Sequence, residues 1–338
     1  MSRIQHPVLI IGGSGVVGSQ AAAMIRRLHP NLPVTIAGRD LAKARAVAGK
    51  LGVEALAADL SKPDLGLPET ARFSAVIVFV KDDWSHALRF AQRHGIPHLS
   101  VSSGAFEIGI EAARFIHAPQ AAPVVLASQW LAGAALFPVL DYARAFSSID
   151  NIHVGVLLDQ EDMGGQAALA DYERITQSGS ATLTLQDGRF AWIAGEEAEA
   201  RYRSVDGVEL PAAAYGPLDV LSLATATEAK NIRFDLAFDV SASRRAGGPF
   251  STESVITIEG VLYSGERAAR TYEVVHPQGQ APLTALGVAL ATERALGLSG
   301  GEALKPGLYF PDSIIEPAYY IARMKEFGAV FTEANANG

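Results

Sequence analysis

The stretch that most constrains this chain is Val8-Leu9-Ile10-Ile11-Gly12-Gly13-Ser14-Gly15-Val16-Val17-Gly18-Ser19. Four successive apolar residues read as a strand buried on both faces, the signature of a parallel sheet. A glycine-dense turn follows, and Gln20–Leu28 reads as a helix. Strand, glycine turn and helix bring a diphosphate against a helix N-terminus, where free backbone N–H groups and the helix dipole favour an anion. Without Cβ atoms the glycines let the backbone turn sharply and approach the phosphates. Gly12, Gly15 and Gly18 give G-x-x-G-x-x-G, the preferred register because Gly12 directly follows the strand; Gly13, Gly15 and Gly18 give G-x-G-x-x-G. Gly12, Gly13, Ser14, Gly15, Val16, Val17 and Gly18 are therefore expected to hold a dinucleotide.

Strands and helices alternate through the first half. Val34–Ala37 reads as a second strand ending in Gly38-Arg39-Asp40, with a helix over 41–51 stopped by Gly52. The end of this strand meets the adenosine ribose, where an acid suits a free 2′-hydroxyl and an arginine suits a 2′-phosphate. Gly38, Arg39 and Asp40 are expected at the cofactor, with Arg39 as a phosphate clamp that favours NADP over NAD. A third strand over 53–58 ends in Asp59-Leu60, expected beside the adenine. The apolar run 75–80 reads as a central strand ending in Lys81-Asp82-Asp83, with a helix over 84–94. A strand over 97–101 ends in Ser102-Ser103-Gly104 and leads to a helix over 105–116. A strand over 123–127 ends in Ser128-Gln129-Trp130, and 132–146 reads as one long helix. Such alternation predicts a doubly wound parallel sheet, whose ligands bind at the carboxyl ends of the strands. That puts Val80, Lys81, Asp82, Ser102, Ser103, Gln129 and Trp130 on the nicotinamide side.

The pattern changes near Asp150. Residues 152–158 read as a strand, 159–165 as a polar loop and 166–177 as a helix. Thr182–Gln186 and Arg189–Ile193 flank Asp187-Gly188, a strong hairpin signal. Ile232, Phe234, Leu236, Phe238 and Val240 alternate with mostly polar residues, as in a strand with one buried face. Strands over 254–263 and 267–276 flank Ser264-Gly265. This half reads as an antiparallel sheet with helices on one side, followed by helices over 282–296 and 317–327 and a frayed end from Glu333. The expected division is a dinucleotide domain over 1–149, an α+β domain for substrate and dimerisation over 150–280, and C-terminal helices over 281–338 that return to the first domain.

Composition narrows the function classes. The chain has 338 residues, 49% hydrophobic, and no cysteine, which excludes disulfides and thiolate chemistry. No apolar run approaches a membrane span and no secretory signal is evident, so a cytoplasmic protein without membrane partners is expected. The formal charge is −8 with scattered basic residues, which argues against nucleic acid. No metal site is expected: Pro97 separates His94 from His98 and breaks any helix that would carry both.

The sequence resembles the saccharopine dehydrogenase-like oxidoreductases over nearly its whole length. The resemblance is carried by Gly12–Gly18, Ala37-Gly38-Arg39-Asp40, Ala58-Asp59-Leu60, Gly133, Pro306-Gly307-Leu308-Tyr309-Phe310-Pro311 and Glu316-Pro317. It implies an N-terminal Rossmann-type doubly wound domain, a C-terminal α+β domain with a largely antiparallel sheet, and NAD(P)-linked redox chemistry. The chain departs from the family pattern at Ser100-Val101-Ser102, where many members carry an Asp, and at Gln129–Gly133, where many have Gly and Pro-Gly. The resemblance therefore does not transfer the substrate.

Reduction of a C=O or C=N needs a proton as well as a hydride. No lysine follows a tyrosine by four residues, so the Tyr-x-x-x-Lys arrangement of short-chain dehydrogenases is missing. Lys81 is the first candidate acid, with pairing to Asp82 or Asp83 as the structural alternative. Tyr172, Asp162 and His153 are candidates from the second half. Arg201, Arg203, Arg244, Arg245 and Arg270 could fork a substrate carboxylate. The leading expectation is an NADP-preferring oxidoreductase, a homodimer, acting on a small carbonyl or imine. The alternatives are a non-catalytic NADP-binding redox sensor and an enoyl reductase of a biosynthetic pathway.

Overall fold

A computed structural model describes residues 6–162, 164–178 and 181–334. The chain begins β1 (Val8–Ile11), α1 (Val16–Leu28), β2 (Val34–Gly38), α2 (Leu41–Leu51), β3 (Glu54–Ala57), β4 (Ala75–Val78), α3 (His86–His94), β5 (His98–Ser100), α4 (Ile108–His117) and β6 (Pro123–Leu126). Then come α5 (Leu136–Ala143), β7 (Phe146–Asp159), α6 (Gln166–Ser178), β8 (Thr182–Gln186), β9 (Arg189–Ile193), β10 (Glu199–Arg203), β11 (Glu209–Ala214), α7 (Asp219–Ala226) and β12 (Asn231–Asp239). The last stretch holds the single turn α8 (Ala242–Arg245), β13 (Thr252–Leu262), β14 (Arg267–His276), α9 (Gln280–Ala295), β15 (Gly307–Tyr309), α10 (Pro317–Glu326) and β16 (Val330–Ala334).

Two compact units result. The first comprises the described residues up to Ser128, with Gly164–Asp171 and Thr284–Ile315; the second comprises the remainder. The tail beyond residue 281 divides between them, with β15 in the first unit and α10 and β16 in the second.

In the first unit seven parallel strands run in the order β15-β6-β5-β4-β1-β2-β3. Val8 of β1 registers with Val34 of β2 on one side and Ala75 of β4 on the other. All residues of β1 and β4 are buried, as their unbroken Val/Ile/Leu character requires in a sheet covered on both faces. The chain leaves β1 in one direction and returns on its other side at β4. This reversal of strand order is the switch point where a doubly wound sheet opens a crevice. The expected doubly wound sheet is therefore present, and the late β15 adds its outer edge.

The second unit holds a largely antiparallel sheet in the order β10-β11-β12-β7-β13-β14-β16, with the β8–β9 hairpin attached through β12. The hairpin turns at Asp187 and Gly188, both with positive φ, where the sequence places it. The sheet is not antiparallel throughout. β7 and β12 run parallel from the Asn151–Asn231 pair to the Asp159–Asp239 pair, because the long excursion between them is a crossover connection.

The single helix expected over 132–146 is absent. Leu131, Ala132 and Gly133 all have positive φ and break the chain path, so α5 starts only at Leu136. Pro138 lies in its first turn, where a missing N–H leaves no hydrogen bond unmade. β7 starts at Phe146 and not near 152; its polar first half looks like a loop in sequence but pairs with β13 from Leu262 onward. The helix after β4 starts at His86 and not at Trp84, because Ser85 takes a left-handed conformation and the Asp82 carboxylate accepts a 2.8 Å hydrogen bond from Ala87 N. The helix expected from 105 starts at Ile108. The chain end is ordered further than expected, since β16 pairs with β14 up to Ala334; residues 335–338 of the frayed end lie outside the described residues.

In the second unit α5 packs on α10. Phe137 stacks on Tyr320 with ring centroids 4.0 Å apart, and the buried Tyr320 hydroxyl donates to Ala132 O at 3.1 Å. After β7, Asp162 is buried and accepts a 2.6 Å hydrogen bond from Gln280 N. Burial pushes its carboxyl from 3.8 up to about 6, aided by the negative charge of Asp159. A carboxyl raised in the folded state favours folding fully below its unfolded value, and that contribution is lost as pH rises through the folded value. Wild-type stability is therefore expected to fall between about pH 4 and pH 6 by up to about 3 kcal/mol from this group. In chemical denaturation across that range Asp162→Asn should show a flatter profile than wild type.

Candidate functional site

β1 ends at Ile11 and α1 begins at Val16, so the glycine turn fills the space between them. Gly12 has a φ of +82°, Gly15 N donates to Gly12 O at 2.9 Å, and Gly12 N donates to Ala37 O at 2.9 Å. Gly18, in the first turn of α1, lies directly on this turn. A Cβ there would collide with Gly12 O and come within 2.8 Å of Gly13 Cα, both backbone atoms that cannot rotate away. A Cβ on Gly13 would come within 2.9 Å of Ile10 O and 3.0 Å of Ile36 Cγ2. The helix is thus drawn onto the strand end as closely as backbone permits.

Gly15 is the N-cap of α1 and supplies no side-chain cap; no acidic residue occupies the first turn. The first-turn N–H groups, which cannot bond within a helix, keep their donor capacity, and the positive dipole end adds to it. With no side-chain cap from Gly15 and no acid in the first turn, the turn has the donors that a diphosphate would take. Gly165 lies against Val16, where a Cβ would come within 2.9 Å of Val16 Cγ2. Together with the 2.5 Å hydrogen bond from Ser102 Oγ to Asp171 Oδ2, it ties residues 164–171 to the carboxyl ends of β1 and β5. No sequence signal marks that segment.

At the end of β2, Arg39 and Asp40 are exposed. Asp40 is the N-cap of α2, and its Oδ1 accepts from Lys43 N at 3.0 Å. Arg39 lies near enough to Asp59 to favour its carboxylate. Asp59 accepts from Ser61 N at 3.0 Å and Ser61 Oγ at 2.7 Å, and these bonds hold it below the usual carboxylate range. Leu60 O accepts from the His86 ring at 2.8 Å. Ser14 faces Gly38, where a Cβ would lie 3.9 Å from Ser14 Oγ.

At the end of β4, Val80 packs against the core and lies beside Gly12. Lys81 pairs with Glu107 at 3.1 Å, both side chains largely buried. The expected alternative partners Asp82 and Asp83 lose this role because Asp82 caps α3, whereas Glu107 stands at the start of α4. Ser100, Ser102 and Ser103 are buried at the end of β5. Sequence reasoning missed Glu107 and Glu111, which read there as the polar face of an ordinary helix.

The remaining candidates lie in the second unit. Trp130 is buried, packs edge-on to Tyr215 at 5.8 Å and against Phe234 at 5.9 Å, and donates its backbone N–H to Asp219 at 2.6 Å. Gln129 is buried near Ser222. Tyr172 stacks loosely on Phe238 at 6.4 Å. His153 pairs with the buried Asp235 at 2.6 Å. Four of the five arginines hold carboxylates of this chain: Arg201 to Glu209, Arg244 to Asp159, Arg245 to Asp206 and Arg270 to Glu333; Arg203 is exposed on β10. Among the described residues no group of three or more His, Asp or Glu side chains could hold a metal. No described helix is long and apolar enough to cross a membrane.

No family model matches the chain. No curated protein matches it by sequence. Solved structures do match. A saccharopine dehydrogenase (L-Glu forming) from Saccharomyces cerevisiae aligns over 97% of this chain and 100% of its own, with a TM-score of 0.68 at 14% identity. The fold is shared with that dehydrogenase. A myo-inositol dehydrogenase from Corynebacterium glutamicum aligns over 96% and 98% of the two chains with a TM-score of 0.49 at 12% identity. GenD2 from gentamicin A biosynthesis, solved with NAD, aligns over 99% and 98% with a TM-score of 0.47 at 12% identity. At these identities the likeness is one of fold, and only the first is close enough to bear an argument.

Gly18→Ala is expected to lower stability by about 1–3 kcal/mol, because a methyl group must push α1 off the turn. Gly49→Ala, where a Cβ meets nothing within 4 Å, should instead stabilise α2 by about 0.5–1 kcal/mol. Denaturant melts of both variants beside wild type check the pair.

Proposed function

We propose that this chain is an NADP-preferring oxidoreductase that transfers a hydride to or from a small carbonyl or imine substrate, amino-acid-derived ones among them. The observation that carries the reading is the uncapped N-terminus of α1, drawn tight against the switch point of a parallel sheet. Gly12 to Gly18 would hold the diphosphate through backbone N–H groups. Gly38, Arg39, Asp59 and Leu60 would border the adenosine, and Val80, Lys81 and Ser102 the nicotinamide end. When bound, the nicotinamide supplies or accepts the hydride.

Arg39 supports the preference for NADP. Its guanidinium is exposed at the end of β2, and the neighbouring Asp40 carboxylate, which would otherwise suit a free ribose hydroxyl, already caps α2. A guanidinium in that place suits a 2′-phosphate by bidentate, charge-assisted hydrogen bonds. Lys81 is the proposed proton donor. Glu107 pairs with its amine and fixes its direction at the carboxyl end of β4.

The reading includes a homodimer. From Val255 onward in β13 and from Thr271 onward in β14 every second residue, including Thr257, Glu273 and Val275, is half-buried while the residues between are buried, so that stretch of one sheet face is only partly covered. Light scattering is expected to give twice the chain mass.

Isothermal titration calorimetry tests the cofactor. Wild type should bind NADPH more tightly than NADH, and Arg39→Ala should weaken NADPH by about tenfold, roughly 1.4 kcal/mol, with NADH little changed. Equal weakening of both would remove the clamp from the reading; no uptake of either would remove the reading itself.

A further inference from the structure

Within the first unit, β4, β5, α3 and α4 enclose a small pocket that runs from Lys81, Ser102 and Ser103 inward to His98 and Leu88. It has room for about two water molecules. Four polar atoms of its lining lack a hydrogen-bond partner: His98 Nδ1, Ser100 Oγ, Asp82 Oδ1 and Glu111 Oε2. His98 and Ser100 are only 3% and 6% exposed. Native interiors seldom leave such atoms unpaired, and four around one space call for polar molecules inside it.

The charges divide unevenly. Lys81 is answered by Glu107, whose second oxygen accepts from Gly104 N at 2.8 Å. Glu111, one turn further along α4, makes no ion pair among the described residues. Burial raises its carboxyl above the ordinary range, and the Glu107 charge adds to this; the hydroxyls of Ser100 and Ser103 and the Lys81 cation oppose it. Those hydroxyls are near enough to favour the carboxylate, although Ser100 Oγ reaches no partner with good hydrogen-bond geometry. The charged and titratable groups around Glu111 are Lys81 and Asp82 from the turn after β4, His98 from β5, Glu107 from the start of α4, His86 of α3 beside Asp82, and Asp171 bonded to Ser102. His98 adds no charge at neutral pH, because burial holds its imidazole down at about 4.

We propose that Glu111 is a proton store for the cleft, exchanging its proton with the Lys81 amine through pocket water and the Ser100 hydroxyl. The inference rests on the reading of Lys81 as proton donor. Once the Lys81 ammonium has given up a proton, the Glu111 carboxylic acid loses its own; the amine becomes ammonium again and Glu111 becomes carboxylate. A proton from solvent then restores the acid. Glu111 acts through Lys81 and is a positioning and supply residue, not one that touches substrate.

Infrared difference spectroscopy on the full protein, with no cofactor or substrate added, tests this. Wild type minus Glu111→Gln, recorded across a pH titration, should show the C=O stretch of a protonated carboxyl that disappears with rising pH above the ordinary carboxylate range. Lys81→Met removes the nearby cation and should move that disappearance upward by about one pH unit or more. Ser100→Ala should move it the same way by less. Should Glu111→Gln fail to fold, Glu111→Asp retains the acid and is expected to shift the band. A disappearance of the band within the ordinary carboxylate range, a midpoint unmoved by Lys81→Met, or a band unmoved by Glu111→Asp would overturn the proposal. Because no nucleotide takes part, this outcome and that of the cofactor titration are independent.

Discussion

Gly18 rests on the peptide groups of Gly12 and Gly13 with no room for a methyl group between them. That contact fixes how close α1 comes to the end of β1, and so where the helix dipole and its unbonded N–H groups point. β1 in turn has β2 on one side and β4 on the other, at the reversal of strand order. Every feature of the proposed nucleotide site, from Arg39 at the end of β2 to Lys81 after β4, takes its place relative to this one close approach of backbone to backbone.

Away from the glycine turn, the chain satisfies most of its charges internally. Asp40 and Asp82 cap helices, Asp59 closes a turn, and Arg244, Arg245 and Arg270 pair with carboxylates nearby in the fold. Such engagements cost side-chain freedom but remove unpaired charge from the interior. They also shorten the set of groups left for chemistry. Two places stand apart: Lys81 with Glu107 and Glu111 around the ends of β4 and β5, and the raised Asp162 after β7.

Much of the architecture was legible because local pattern and tertiary setting agree. The apolar β1 and β4, the Asp187-Gly188 hairpin, and the long β13–β14 pair with its turn at Ser264-Gly265 all carry their own signals. Reading failed where tertiary contacts overrule local pattern. The apolar residues 132–146 look continuous, but Gly133 makes room for Phe137 and Tyr320, and a Cβ there would lie 2.7 Å from the Phe137 ring. The first half of β7 is polar yet paired, because its partner β13 supplies the order. At the site, the glycines announce themselves through spacing alone. Glu107 and Glu111 do not, since an acid at i and i+4 on a helix is ordinarily a solvated face; only the fold reveals that these two look inward.

The outer edge of the parallel sheet is β15, three residues drawn from beyond position 306 and laid beside β6. Most of the chain intervenes between the two partners. During synthesis the nascent sheet must therefore wait with β6 as a raw border until residues 307–309 have left the ribosome. An unfinished border of that kind offers its backbone to any passing strand. Folding in the order of synthesis cannot complete this unit early, and the late β15 decides when the first-made half becomes safe from misassembly.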